Sequence, residues 1–224
     1  MATSGTTSFN ITIDEAIEEA YERCGVRTNS GHDIKSARRS LNLLFSEWGN
    51  RGINLWKVKS ETLTLVNGTA TYNTPSDCND VLEAVVTTTG GTQQTLTKIS
   101  RSEYIAIPNK TDTGTPSQYY VNRQITPTIS LYLAPDTSAV TNIFYYYLAR
   151  IQDAGAYTNT SDMPFRFYPC MVSGLAFYLS QKIALDRVQM LKMLYEDELK
   201  RALDEDGQRT SVYITPSVYY PQGS

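Results

Sequence analysis

The chain has 224 residues, enough for one large domain or two small ones. Its 41% hydrophobic and 19% charged content is that of a globular chain, not a disordered one. The net charge is −3 and evenly spread: residues 1–55 carry six Lys/Arg against seven Asp/Glu, 56–165 seven against nine, and 166–224 seven against seven, which leaves no basic segment to grip nucleic acid electrostatically.

Residues 1–11 read as an extended arm, polar apart from Phe9 and Ile11, with no charged-then-apolar pattern of a signal peptide. Thr12 and Glu15 form a capping box that opens a helix. Ile13, Ala16, Ile17, Ala20, Tyr21 and Cys24 recur at helical spacing, and Gly25 stops it. Its other face holds Asp14, Glu15, Glu18, Glu19 and Glu22. Two readings stand, an acidic binding face and a solvated helix face. A second helix is predicted from about Asp33 to Trp48, with Ile34, Ala37, Leu41, Leu44, Phe45 and Trp48 on one stripe. Arg38 and Arg39 flank it, placed either for phosphate or a partner's carboxylates, or simply for solvent.

From Trp56 to about Gln152 the pattern alternates. Leu63 and Leu65 among threonines, Asn67-Gly68, then Ala70 and Tyr72 predict a hairpin with a type I′-like turn. Val81–Thr89 predicts a strand turning at Gly90-Gly91, and Ser100 with Glu103 caps one or two helical turns. Strands are expected at 119–123, 128–133 and 142–149. Tyr145, Tyr146 and Tyr147 are consecutive, so both faces of the last strand need cover or a partner.

Helix returns near Asp162. Pro164 suits a first turn, and Pro169 predicts a short turn followed by a fresh start. Cys170–Leu179 is nearly all apolar, hence a helix buried on most sides but half the length of a membrane span. Gly174 in its middle implies close approach of another helix. Asp186 and Gln189 frame the next start. Val188, Leu191, Leu194, Tyr195, Leu199, Ala202 and Leu203 form its stripe, and Gly207 ends it. Residues 209–224 are extended and proline-broken yet carry Val212, Tyr213, Ile214, Val218, Tyr219 and Tyr220. They read as an arm docking on a neighbouring subunit or another protein, with a strap over the chain's own surface as the alternative. Pro216 and Pro221 keep the arm extended, and it is expected to order only on docking.

The chemistry is sparse. The single histidine, His32, reads as an exposed loop residue. The three cysteines, 24, 78 and 170, form no C-x-x-C and read as reduced and structural. There is no phosphate loop and no G-x-S-x-G elbow. Glu18 and Glu22 share a helix face without surroundings that suit a general acid, and Asp204-Glu205-Asp206 lacks the alternation of a calcium loop. No catalytic set, metal site or cofactor is expected. The fold expectation is α+β: a helical core from N- and C-terminal helices (1–55 and 153–208), an inserted, mainly antiparallel β domain (56–152), and an extended C-terminal arm (209–224).

In order along the chain, Ala37-Arg38-Arg39-Ser40-Leu41-Asn42-Leu43-Leu44-Phe45-Ser46-Glu47-Trp48 with Arg51-Gly52-Ile53-Asn54-Leu55-Trp56, then Leu63-Thr64-Leu65-Val66-Asn67-Gly68 with Tyr72 and Pro75, then Ile99-Ser100-Arg101-Ser102-Glu103-Tyr104, Gly114-Thr115-Pro116-Ser117-Gln118-Tyr119-Tyr120, Leu131-Tyr132-Leu133-Ala134-Pro135 and the 162–179 helix together resemble the head-to-tail adaptor (connector) proteins of short-tailed bacteriophages. That group includes the P22-like tail accessory factor and the T7-like tubular gatekeeper. The resemblance implies a structural virion protein in a ring, expected in twelve copies, between portal and tail nozzle. Such a ring extends the DNA channel, helps retain packaged DNA and lets double-stranded DNA pass without sequence-specific binding. It implies assembly in the host cytoplasm, residence at the head–tail junction and no membrane partner. Val212, Tyr213, Ile214, Tyr219 and Tyr220 would then grip the portal, with Arg38 and Arg39 as channel or partner contacts. The rival expectation is a surface or fibre-type module that binds glycan or host surface with its tyrosine-rich strands.

Overall fold

The structure, a computed structural model, describes residues 4–7, 9–27, 31–51 and 55–206. The elements are α1 (Ile13–Arg23), α2 (Gly31–Asn50), β1 (Val58–Thr64), β2 (Thr71–Asn73), β3 (Cys78–Thr88), β4 (Gln93–Thr95), β5 (Thr97–Lys98), α3 (Arg101–Ala106), β6 (Thr113–Gly114), β7 (Gln118–Asn122), β8 (Thr128–Tyr132), β9 (Ala134–Pro135), β10 (Val140–Ala149), α4 (Tyr168–Ile183) and α5 (Val188–Asp206). The class is α+β, with N- and C-terminal helices flanking antiparallel-rich sheets. The arm at 209–224 and the stop at Gly207 lie outside the described residues.

Local chemistry sets the helix ends. The Glu15 carboxylate accepts from the Thr12 backbone N–H at 2.8 Å, the glutamate half of the capping box, and also from the Thr12 hydroxyl at 2.8 Å. At the other end Gly25 takes φ +75°. The Val26 N–H then reaches the Tyr21 carbonyl and the Gly25 N–H that of Glu22, a Schellman closure. A 3-10 turn, Phe165–Phe167, precedes α4, whose first turn holds Pro169, so each of the two prolines begins a segment. A further 3-10 turn, Leu185–Arg187, leads into α5 where the sequence suggested a cap at Asp186. His32 is exposed as expected but sits in the first turn of α2 rather than in a loop. The helix begins at Gly31, two residues before the predicted start.

The helical core is built around α4. Residues 170–176, 179 and 180 of α4 are all buried, and α1, α2 and α5 each pack against it. Gly174 is the point of closest approach: a Cβ there would lie 2.8 Å from Leu44 Cδ2 and 2.9 Å from Tyr195 Cε2. Two polar chains cross between the helices. The Trp48 indole N–H donates to Tyr195 Oη at 2.8 Å, and Tyr195 donates to Glu47 at 3.1 Å. Arg23 donates to Ser173, and Ser173 donates to Glu198, joining α1, α4 and α5.

The β region forms a second, separate cluster of buried residues. One sheet runs β1-β10-β3-β4 and another β2-β8-β7-β5, with β6-β9 a small third pair. The β5–β7 and β6–β9 pairings are parallel, and the other ladders are antiparallel. Val81, Val86, Ile143, Tyr145 and Tyr147 of the first sheet share one core with Tyr119, Val121, Ile129 and Leu131 of the second. The Tyr119 hydroxyl crosses that core to the Leu82 carbonyl at 3.1 Å. Of the three consecutive tyrosines, 145 and 147 are core and Tyr146 is exposed.

The expected hairpin at 63–72 does not form. A turn is present, with the Thr69 N–H on the Val66 carbonyl at 3.0 Å. Only Gly68 takes positive φ, whereas type I′ needs it at both central residues. Its two arms diverge into different sheets, β1 onto β10 and β2 onto β8. Tertiary pairing overrode the local signal, as a longer partner strand offers β1 seven paired residues.

The two cores are pinned where the chain crosses between them. Lys57, only 2% exposed, pairs with Asp162. The neighbouring Trp56 indole N–H donates to the Asp162 carbonyl at 3.3 Å, and its ring packs 4.3 Å from that of Phe167.

Two outcomes test this packing. Gly174→Val should lower stability by about 1–3 kcal/mol, because the added branches meet Leu44 and Tyr195 with little room to yield; thermal melts followed by circular dichroism read it. Asp162→Ala should cost roughly 1–3 kcal/mol by leaving Lys57 buried without its carboxylate, discounted for the partly exposed acid, whereas Lys57→Met should stay within about 1 kcal/mol of wild type.

Candidate interaction surfaces

Arg38 and Arg39 are neighbours in sequence but serve different surroundings. Arg38 is half-buried. It donates to the Gly155 carbonyl at 3.1 Å and lies 5.4 Å over the Tyr157 ring. It thereby holds the segment leading into α4, in which the Tyr157 and Asn159 carbonyls accept the Asp14 and Ile13 N–H groups at the start of α1. Asn42 supports the same segment, accepting the Ala154 N–H at 2.8 Å. Arg39 is exposed, on the outward face of α2 with Lys35 and Leu43. Lys182 joins them from α4, donating to Ser40 at 2.7 Å, and burial together with the Arg39 charge lowers its pKa.

Leu43 is 60% exposed although it lies in the middle of a helix. It falls opposite the buried stripe of α2, so an apolar residue out of phase with that stripe was the sequence signal for it. Other apolar groups stand out in the same way. Ile125, at the β7–β8 tip, is 94% exposed, and Met190 and Met193 are exposed on α5.

An open groove of about 670 Å³ lies between the N-terminal segment, α1 and the start of α4. Phe9, Ile11, Phe165, Tyr168, Pro169 and Val172 supply its apolar lining, and Glu15, Glu19 and Arg23 its polar side. Phe9 and Phe165 are mostly exposed, their rings 5.6 Å apart. Arg23 is paired with Glu19 at 2.9 Å, and all five acids of α1 are exposed. A second cleft of about 340 Å³ sits where α2 meets the ends of β3 and β10, and its charged lining is Arg150 and Asp153.

Among the described residues no group of three or more His, Cys, Asp or Glu is placed to hold a metal ion. No described helix is long and apolar enough to cross a membrane. All three thiols are buried. Burial pushes the pKa of Cys24 and Cys78 up and that of Cys170 up to about 12, which keeps them protonated and unreactive. A thiol reagent such as Ellman's should therefore find no reactive cysteine in the native protein at pH 8 and three after denaturation; fast labelling of the native chain would contradict the burial.

The arm residues Val212, Tyr213, Ile214, Tyr219 and Tyr220 lie outside the described residues. What the described residues present is a set of apolar and charged surfaces. The curated proteins give no match to the sequence. The family model described as SU10 adaptor protein matches residues 13–218, beginning at the first residue of α1. The chain therefore belongs to the SU10 adaptor protein family and is a structural adaptor of a bacteriophage.

Proposed function

We propose that the protein forms a ring, expected in twelve copies, between the portal and the tail nozzle, where it extends the DNA channel and helps retain packaged DNA. In this reading it does the work of the P22-like tail accessory factor and the T7-like tubular gatekeeper. The observation that carries the proposal is the family match across residues 13–218, which spans both the helical core and the β region. The even charge supports it: a conduit must let double-stranded DNA slide, and a wall without a basic segment makes no strong, salt-sensitive grip. Contact with DNA is then non-specific.

In this reading the chain works in three parts. The helical parts, 1–55 and 153–208, build the ring. The β region, 56–152, projects from them, with the Ile125 tip as a contact for the neighbouring virion component. The arm, 209–224, grips the portal through Val212, Tyr213, Ile214, Tyr219 and Tyr220, each worth roughly 1.5–3 kcal/mol when its apolar surface is well buried. Repetition around the ring multiplies that hold. Arg39 and the exposed part of α2 meet a partner or the channel. The protein is assembled in the host cytoplasm and stays in the virion.

The test is electron microscopy of the full chain mixed with portal-bearing heads of its phage. A ring of density below the portal, with twelve-fold symmetry, is the expected result. Truncation after Gly207 should leave a folded chain that no longer attaches stably. Heads that bind no ring of the full chain would remove the proposal, and normal attachment by the truncated chain would remove the arm's role.

A further inference from the structure

We infer that the groove beside α1 receives the outward face of α2 from a second copy of this chain, so that Leu43 of one copy fills the groove of the next while Lys35 and Arg39 meet the acids of α1. The inference rests on the ring reading above and names the surface that closes it.

Each face is unsatisfied on its own. Glu18 and Glu22 lie four residues apart on α1, exposed, and neither forms an ion pair among the described residues. Lys35 and Arg39 repeat the situation on α2 with the opposite sign. Like charges at that spacing repel, which weakens each helix slightly when the subunit stands alone. Lys182 adds a third positive charge beside Arg39. The chain thus carries two like-charged faces of opposite sign on different helices, and each supplies the counter-charge that the other lacks.

The apolar parts match in the same way. The groove is lined by Phe9, Ile11, Phe165 and Val172 and edged by Glu15, Glu19 and Arg23, the last already paired with Glu19 at 2.9 Å, so the free negative charge lies on the neighbouring acids Glu18 and Glu22. The α2 face offers Leu43 with Arg39 and Lys35 one and two turns before it. Lys35 to Leu43 spans about 12 Å of helix, as does Asp14 to Glu22 on α1, at about 1.5 Å per residue. A preformed helix presents Leu43 and its two cations at fixed spacing; the competing occupant is the chain's own residues 207–224. The interface joins two different patches, so it is head-to-tail, the type that closes into a ring when the rotation per copy divides a full turn.

Charge reversal tests this on the full-length chain. Lys35→Glu with Arg39→Glu makes one variant, and Glu18→Lys with Glu22→Lys the other. Glu15 is spared because it caps α1. Both variants should fold, since all four positions are exposed and far from the core, and circular dichroism melts check that. Each variant alone should bind portal-bearing heads with copies per head reduced more than about tenfold at low salt, because like charges then face each other. An equal mixture should restore the wild-type number, since alternating copies present opposite charges at every contact. Leu43→Asp should fail alone and in mixture with either variant. Wild-type assembly by either reversed variant, or no rescue in the mixture, overturns the interface while leaving the ring standing. Loss of copy-to-copy contact on truncation after Asp206, with the reversed variants unaffected, assigns the groove to the tail and equally overturns it. Wild-type chains that bind heads only as isolated copies remove the ring reading and this interface together.

Discussion

The distance between α4 and its neighbours governs the helical half. At Gly174 the backbone of α4 has no side chain to hold Leu44 of α2 and Tyr195 of α5 away. That single absence lets α2 and α5 approach the same buried helix closely enough for Trp48 and Tyr195 to share a hydrogen bond. The network continues outward to Glu47 and Arg51, so the polar surface of the bundle is positioned by its narrowest apolar point. Glycine costs helix propensity there, and the packing it admits offsets the cost.

The same logic explains how the β region is held. Its own core is closed, and it meets the helices mainly through a few groups at the crossings. Lys57 enters apolar surroundings because Asp162 waits there, and Trp56 covers the pair against Phe167. The pairing anchors the end of the segment that precedes Asp162, which crosses α2 under Arg38 and satisfies the first N–H groups of α1. The start of α1, the middle of α2 and the entry to α4 are thereby set by a connecting segment without regular structure.

Periodicity made much of this legible. The stripes of α1, α2 and α5, the apolar run of α4 and the alternation of β7, β8 and β10 all follow from local chemistry, and so did the role of Gly174. The hairpin at 63–72 did not, because the destination of β1 is β10, nearly eighty residues on, and no local pattern encodes that pairing. The bulge near Leu82, where Tyr146 pairs with Glu83 and Tyr147 with Val81, was likewise hidden. Among candidate site residues, the sequence singled out Arg38 and Arg39 together. It did not separate an arginine spent on Gly155 and Tyr157 from one left on the surface, since that depends on a segment more than a hundred residues away. Leu43 was visible only as an apolar residue out of phase.

The two crossings also determine how force travels through the subunit. The β region is one continuous insertion, entered at Val58 on β1 and left at Ala149 on β10, and these strands are antiparallel neighbours with Val58 opposite Leu148. Both connections therefore leave the same end of the same sheet. Tension between the helices and the β region pulls β1 and β10 in one direction together and does not slide one past the other. The shear falls instead on the next ladder, between β10 and β3, whose register shifts by bulges at three places. A subunit built this way passes a pull from its β region to its helices along two strands acting as a single ribbon.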